Sequence, residues 1–253
     1  MITIKNKLSI QKMQQAGQLL ADLFDQLLIK IVPGITTLEI DSWIEDFLRT
    51  NNLVSQSKGY KGYSHASCIS VNDEVVHGIP CNNKIIKDGD LVKIDICASW
   101  KGYCADAARC YFIGQPKEET KQLVNVAQRA LDKGIEKALP GNRLSDISAA
   151  IQAEIEKSGY GIVRDFAGHG IGKFMHEDPE ILNYGKPGHG PILRPGMTFA
   201  IEPMITQGKC DVYITNDGWT VKTKDKSLAA HVEDTIVITN EGVQILTRKN
   251  IEA

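Results

Sequence analysis

The 253-residue sequence predicts an α/β fold built from two pseudo-symmetric halves, each running helix, helix, strand, strand. Three observations carry this. Val32-Pro33-Gly34, which ends one amphipathic segment, is answered 107 positions later by Leu139-Pro140-Gly141. Ile85 to Asp95 (IIKDGDLVKID) is answered at the same spacing by Ile192 to Glu202 (ILRPGMTFAIE). One offset held without a gap from the first helix to a carboxylate-bearing strand marks a duplication, and two copies are too few for a solenoid. Third, Leu91 to Arg109 reads as two strands joined near Ser99-Trp100-Lys101-Gly102, with two carboxylates where a fold wants apolar residues.

The elements follow in order. Residues 9–31 set Ile10, Met13, Gly17, Leu20, Phe24, Leu27 and Leu28 at helical spacing, with Ser9 as the cap and Val32-Pro33-Gly34 as the stop. Thr37 caps a second helix whose Leu38, Trp43, Ile44, Phe47 and Leu48 face inward. Residues 55–64 form a loop rich in Gly, Ser, Lys and Tyr. In the second half, residues 121–139 form a helix, and another starts at Ser145 with Ile147, Ile151 and Ile155 on its apolar stripe.

On the first strand Leu91, Lys93, Asp95 and Cys97 share one face; Val92, Ile94, Ile96 and Ala98 share the other. A turn centred between Trp100 and Lys101 pairs residues whose numbers sum to 201, which sets Asp95 opposite Asp106. Their Cβ atoms would then lie about 4.5–5.5 Å apart. Two buried like charges at that range are costly unless a cation lies between them. An isolated hairpin would serve a solvated polar face equally well. The repeat tips the balance, because it makes Glu202 the counterpart of Asp95, so a site at the junction of the halves draws an acid from each.

Composition bounds the rest. An apolar content of 42% and a charged content of 24% describe a soluble globule able to bury a sizeable core. A net charge of −2 argues against binding nucleic acid by bulk attraction to phosphate. Six cysteines (68, 81, 97, 104, 110, 210) form no Cys-x-x-Cys pair, so reduced thiols in a reducing compartment are expected. The first residues lack a signal-peptide core and no apolar run approaches membrane-spanning length, so a cytoplasmic protein without a membrane is expected.

Two further acids stand in apolar strand-like stretches: Glu202 in Thr-Phe-Ala-Ile-Glu-Pro-Met and Glu233 in Ala-His-Val-Glu-Asp-Thr-Ile-Val-Ile. Taken singly, Glu202 reads as well as an edge residue ahead of Pro203, and Glu233 as half of a solvated acidic pair. His169 lies in Gly-His-Gly-Ile-Gly, where glycines let the backbone approach a ligand closely. Gly168-x-Gly170-x-Gly172 lacks both the spacing of a dinucleotide loop and a following helix. One histidine with four carboxylates is a hard, oxygen-rich set able to hold two divalent ions about 3.5–4 Å apart, which points to metal-assisted hydrolysis.

Asp95, Asp106, His169 in Gly-His-Gly-Ile-Gly, Glu202 in Ile-Glu-Pro-Met and Glu233 in Val-Glu-Asp-Thr resemble the five metal ligands of the methionine aminopeptidases. Asn72-Asp-Glu-Val-Val-His77-Gly-Ile-Pro80 and Asp217-Gly-Trp-Thr-Val-Lys-Thr-Lys-Asp225 resemble stretches of the bacterial-type, type I members in peptidase family M24, and the match spans nearly the whole chain without a zinc-binding N-terminal extension. The resemblance implies the pita-bread (creatinase/aminopeptidase) fold, α+β, with two halves around a central antiparallel sheet. It implies one catalytic domain over residues 1–253, the repeat covering about 9–110 and 116–240.

The resemblance also implies removal of the initiator methionine from nascent polypeptides when the next residue is small and uncharged. Two divalent ions per chain (Co, Fe, Mn, Zn or Ni) are implied. Asp95 would hold one, His169 and Glu202 the other, with Asp106 and Glu233 bridging, and Glu202 would also shuttle a proton. His77 and His176 resemble the family's two substrate-contacting histidines. Tyr60, Tyr63, Cys68 and Trp219 resemble the lining of the methionine pocket. Met175 also belongs to that pocket, where many bacterial members carry an aromatic. Lys61 stands where some carry histidine. His65, His189 and His231 read as surface or structural. A monomer is expected, with ribosome contact near the exit tunnel, although the loop 207–216 is less basic than in members that dock there.

Two other functions fit parts of this pattern. A related pita-bread hydrolase cleaving before proline, or acting on creatine-like substrates, would have other histidine contexts and a longer N-terminal domain. A metal-free module contacting RNA or ribosomes would have lost ligands that are all present here.

Overall fold

Each half opens on two amphipathic helices whose ends are set by local chemistry. In the computed structural model, α1 spans Lys7–Lys30 and α2 spans Thr37–Thr50. The structure describes residues 1–249; residues 250–253, the end of the expected domain, lie outside the described residues. Asn6 rather than Ser9 caps α1, because Ser9 already sits in the first turn and its backbone N–H donates to the Asn6 side-chain oxygen at 2.9 Å. Thr36, one residue before the expected Thr37, caps α2 in a reciprocal box with Glu39. The buried stripe of α1 closes at Leu27. Leu28, a further 100° around the helix, is exposed against expectation. On α2 Ile40, Ile44 and Leu48 are buried with Thr37, while Leu38, Trp43 and Phe47 are only partly covered.

The first half continues with β1 (Leu53–Ser55), β2 (Cys68–Val71), β3 (Leu91–Trp100) and β4 (Tyr103–Phe112). The second half has α3 (Glu118–Lys137), slightly earlier than the expected 121–139, then α4 (Leu144–Glu156), β5 (Gly161–Ile162), β6 (Gly168–Gly170), β7 (Glu177–Ile181) and β8 (Thr198–Ile201). It closes with β9 (Met204–Thr206), β10 (Val212–Ile214), β11 (Val221–Thr223), β12 (Ala229–His231), β13 (Glu233–Ile238) and β14 (Val243–Ile245). The 107-residue spacing recurs in three dimensions. It separates the helix ends Lys30 and Lys137, the helix starts Thr37 and Leu144, and the bridges Thr36–Ile85 and Arg143–Ile192. After β8 the spacing fails, because β8 pairs with β13 and the segment between them carries the β10–β11 hairpin.

One antiparallel sheet unites the halves in the order β1-β3-β4-β13-β8-β6-β7, with β2 also on β3 and β14 also on β13. The halves meet where β4 pairs with β13, through Ala108–Glu233 and Ala107–Asp234. The helices cover one face. Val92, Ile94, Ile96, Ala98, Ala105 and Ala107 pack against Leu20, Phe24, Leu27, Ile40 and Ile44, and Phe199, Ile201, Ile236 and Ile238 pack against α3 and α4. Burial of both faces of β3 explains its near-continuous apolar run. Asp95, Cys97 and Asp106 are left on the face opposite the helices.

The β3–β4 register differs from the expected one. Asp95 pairs with Ala108 and Asp106 with Cys97, because the turn centres between Lys101 and Gly102, at φ +48° and +75°. A two-residue turn of this hand needs positive φ at both central positions, which Gly102 supplies freely. The register slips by two residues, an even number, so both aspartates stay on one face as diagonal neighbours.

Candidate metal centre

β3 and β4 bring Asp95 and Asp106 to the sheet centre, and Thr235 of β13 fixes the second of them. The Asp106 N–H donates to the Thr235 hydroxyl, which in turn donates to the Asp106 carbonyl, both at 2.8 Å. Across the junction Glu233 opens β13. Its backbone carbonyl accepts from Arg109 Nη1 at 2.5 Å, and the other terminal nitrogen, Nη2, binds the Asp234 carboxylate at 2.7 Å. Glu202 lies in the break between β8 and β9, where Pro203 cannot continue a ladder.

His169 sits mid-strand on β6 between glycines that allow its close approach. A Cβ on Gly168 would lie 2.5 Å from the Ala200 carbonyl, and one on Gly170 would lie 2.0 Å from that of Asp178. The His169 Nδ1 is 2.9 Å from the Gly170 carbonyl, which holds the proton on Nδ1 and turns the Nε2 lone pair toward the acids. From Nε2 it is 3.5 Å to Glu202 Oε1 and 3.9 Å to Asp106 Oδ2.

Asp106, His169 and Glu233 each offer a donor atom, and these three lie within 4.8 Å of one another. Burial, and after it the neighbouring carboxylates, holds Asp95 and Glu233 well above the ordinary range; burial alone does so for Glu202. Burial and Glu202 push Asp106 up to about 7. The basic groups within ion-pair range of these acids, among the described residues, are His169 and His231, and burial depresses both to about 4. Asp106 Oδ1, Glu233 Oε1 and His231 Nε2 are buried without a hydrogen-bond partner. Concentrated negative charge, no protein cation to offset it and donor atoms without partners suit divalent cations.

The acids form the floor of a cavity of about 250 Å³. Asp95, Asp106, His169, Glu202 and Glu233 all line it, as do Tyr60, Tyr63, Cys68, His77, Met175, His176 and Trp219. The Tyr63 and Trp219 rings meet edge-on at 5.0 Å, and His77 packs edge-on to Phe166 at 5.5 Å. His77 holds φ +58° ahead of Gly78, whose missing Cβ would strike the Ile69 carbonyl. His176 stands at the rim, 4.4 Å from the His169 ring, with the Tyr60 hydroxyl 3.2 Å from its Nδ1. His65 bonds Asp41 and His189 is exposed.

His231 is no surface residue. It is 2% exposed, with Nε2 3.6 Å from Glu202 Oε2. Its two-residue spacing from Glu233 in an apolar stretch was the available signal, since strand residues two apart share a face. Cys97, two residues from Asp95 on the same strand face, and Lys61 also line the cavity, as does Ser57, which carried no such signal.

A sequence profile of the metallopeptidase family M24 matches residues 11–240. The chain belongs to metallopeptidase family M24. This M24 chain is 47% identical over 247 residues to a methionine aminopeptidase of Clostridium acetobutylicum, covering 98% of this chain and 99% of that one. It is 44% identical to methionine aminopeptidase 1 of Bacillus subtilis, over 98% of this chain and all of that one. The crystal structure of methionine aminopeptidase from Thermotoga maritima superposes with a TM-score of 0.96 at 44% identity, over 98% of this chain and 100% of that one. The Xaa-Pro dipeptidase of Bacillus anthracis superposes at 0.77 and 26% identity, with 98% of this chain covering 63% of that one. The M24 chain has the pita-bread fold.

Proposed function

We propose that this chain is a divalent-metal-dependent aminopeptidase that removes the initiator methionine of new polypeptides when the second residue is small and uncharged. The observation that carries the reading is an uncompensated cluster of buried acids and histidine at the floor of a cavity walled by rings and sulfur. An unbranched thioether packs well against such walls. The full-length likeness to methionine aminopeptidases supports the same reading.

Asp95, Asp106, His169, Glu202 and Glu233 would hold two divalent ions. When bound, such ions polarise the scissile carbonyl and lower the pKa of water to near neutrality. Glu202 takes a proton from the attacking water and delivers it to the leaving amine. His176 donates to the carbonyl oxygen as negative charge grows there. His77 hydrogen-bonds the scissile amide nitrogen or the backbone of the second residue. Tyr60, Tyr63, Cys68, Met175 and Trp219 hold the methionine side chain and exclude water around it.

The reading places the enzyme in the cytoplasm as a monomeric single domain acting near the ribosomal exit. Among the described residues no helix is long and apolar enough to cross a membrane. The decisive experiment incubates purified chain with Fe(II), Mn(II), Co(II), Ni(II) or Zn(II), without oxygen, against Met-Gly, Met-Ala, Met-Lys and Ala-Pro peptides. Methionine release from the first two, and not from the third, is expected. Inactivity with every metal, or preference for the proline peptide, would sink the proposal.

A further inference from the structure

Glu177 follows His176 and opens β7, and both of its carboxylate oxygens are engaged. Oε1 accepts from the backbone N–H of Lys173 at 2.8 Å and of Phe174 at 3.3 Å. Oε2 accepts from Lys5 Nζ at 2.7 Å and from the Thr3 hydroxyl at 2.6 Å. The Lys5 and Glu177 side chains are 5% and 11% exposed, so this ion pair is nearly dry.

Two glycines make room for it. A Cβ on Gly172 would lie 2.4 Å from Lys5 Cε and 2.5 Å from Glu177 Oε1. One on Gly196 would meet Ile4 Cγ2 at 2.7 Å and the Lys5 carbonyl at 2.9 Å, and Lys5 N donates to the Gly196 carbonyl at 2.8 Å. The segment ahead of α1 is therefore packed into the second half of the molecule. The loop 173–176, which carries Met175 and His176, has no sheet ladder to hold it. Besides Glu177, its polar ties among the described residues are a Gly172 N–H to the Phe174 carbonyl at 3.1 Å, the Cys104 thiol to the Lys173 carbonyl at 3.6 Å and the contact of His176 Nδ1 with the Tyr60 hydroxyl at 3.2 Å.

We infer that Lys5 and Glu177 form a clamp through which the N-terminal segment fixes the loop 173–176, making both positioning residues for His176. The inference rests on the role given to His176 above. Removing the Lys5 ammonium leaves a buried carboxylate uncompensated, and the loop it closes is then free to shift.

The test uses the full chain, loaded with metal, on a Met-Ala peptide. Lys5→Met should lower kcat about 10- to 100-fold with KM within about two-fold, because a displacement of about 1 Å costs rate rather than binding. In a His176→Ala background the same change should have little further effect, since the group being positioned is gone. Lys5→Arg should restore most of kcat. Independently of turnover, hydrogen exchange should show lost protection of the Lys173 and Phe174 amides in Lys5→Met. A folded Lys5→Met with ordinary kcat and protection, or with the same loss in both backgrounds, overturns the clamp. If Lys5→Met does not fold, Glu177→Gln, which keeps the shape but removes the charge, is judged by the same criteria. If the unmodified chain releases no methionine at all, the functional reading falls and the exchange data alone decide the clamp.

Discussion

Gly170 has no room for a methyl group, since a Cβ would lie 2.0 Å from a backbone carbonyl oxygen that cannot step aside. Gly170→Ala should therefore cost about 3 kcal/mol or more, read from the urea midpoint. An unchanged midpoint would mean that β6 and β7 lie farther apart. Asp106 makes a different prediction, because its backbone is tied to Thr235 while its carboxylate faces the acids. Asp106→Asn keeps the shape and removes charge from a repulsive cluster, so turnover should fall at least about 10³-fold with no loss of thermal stability. Retained turnover would deny Asp106 a role in holding metal. At this scale the acids were legible because charge in an apolar strand is conspicuous. His231 was not, because a histidine in such a stretch is as often structural, and its nearness to Glu202 depends on how β12 folds beside β9.

The turn joining β3 to β4 decides which side chains face each other, so it is where a local change reaches the site. Gly102 at φ +75° tolerates a side chain poorly, and Gly102→Val should destabilise the chain by about 1–2 kcal/mol in thermal or denaturant unfolding. Lys101→Asn, which suits positive φ, should be neutral or slightly stabilising by the same measurement. The opposite ranking would show that the turn is not of this type. The alternation of apolar residues gave the strands and their faces, but a register is set by turn geometry, and Trp-Lys-Gly does not announce that a lysine will adopt positive φ. The helices were read well, apart from caps displaced by one to three residues, since the periodicity of an apolar stripe does not depend on which side chain closes its first turn.

Over the whole molecule, the repeat was visible because both halves kept their chain length from the first helix to β8. The later insertion carrying β10, β11 and Trp219 has no counterpart in the first half, so its approach to the cavity could be reached only through resemblance. The pooled acids also set how stability depends on pH. A carboxyl raised on folding, as Asp106 is to about 7, contributes stability that is complete below its unfolded value of about 4 and lost as pH rises through about 7. Metal-stripped protein should thus melt higher near about pH 5 than near about pH 8, and an added divalent cation should raise the melting temperature more at the higher pH. Equal melting of the stripped protein at both would mean that the acids are not crowded. The short β4–β13 pairing has a consequence of its own. Its ladder joins the two halves through two residue pairs, beside the crowded acids, so a divalent cation held by those acids would act as a rivet through the seam. Emptying the rivet hole should let the seam breathe, which deuterium uptake at Ala107 and Ala108 would register before either unit loosens elsewhere.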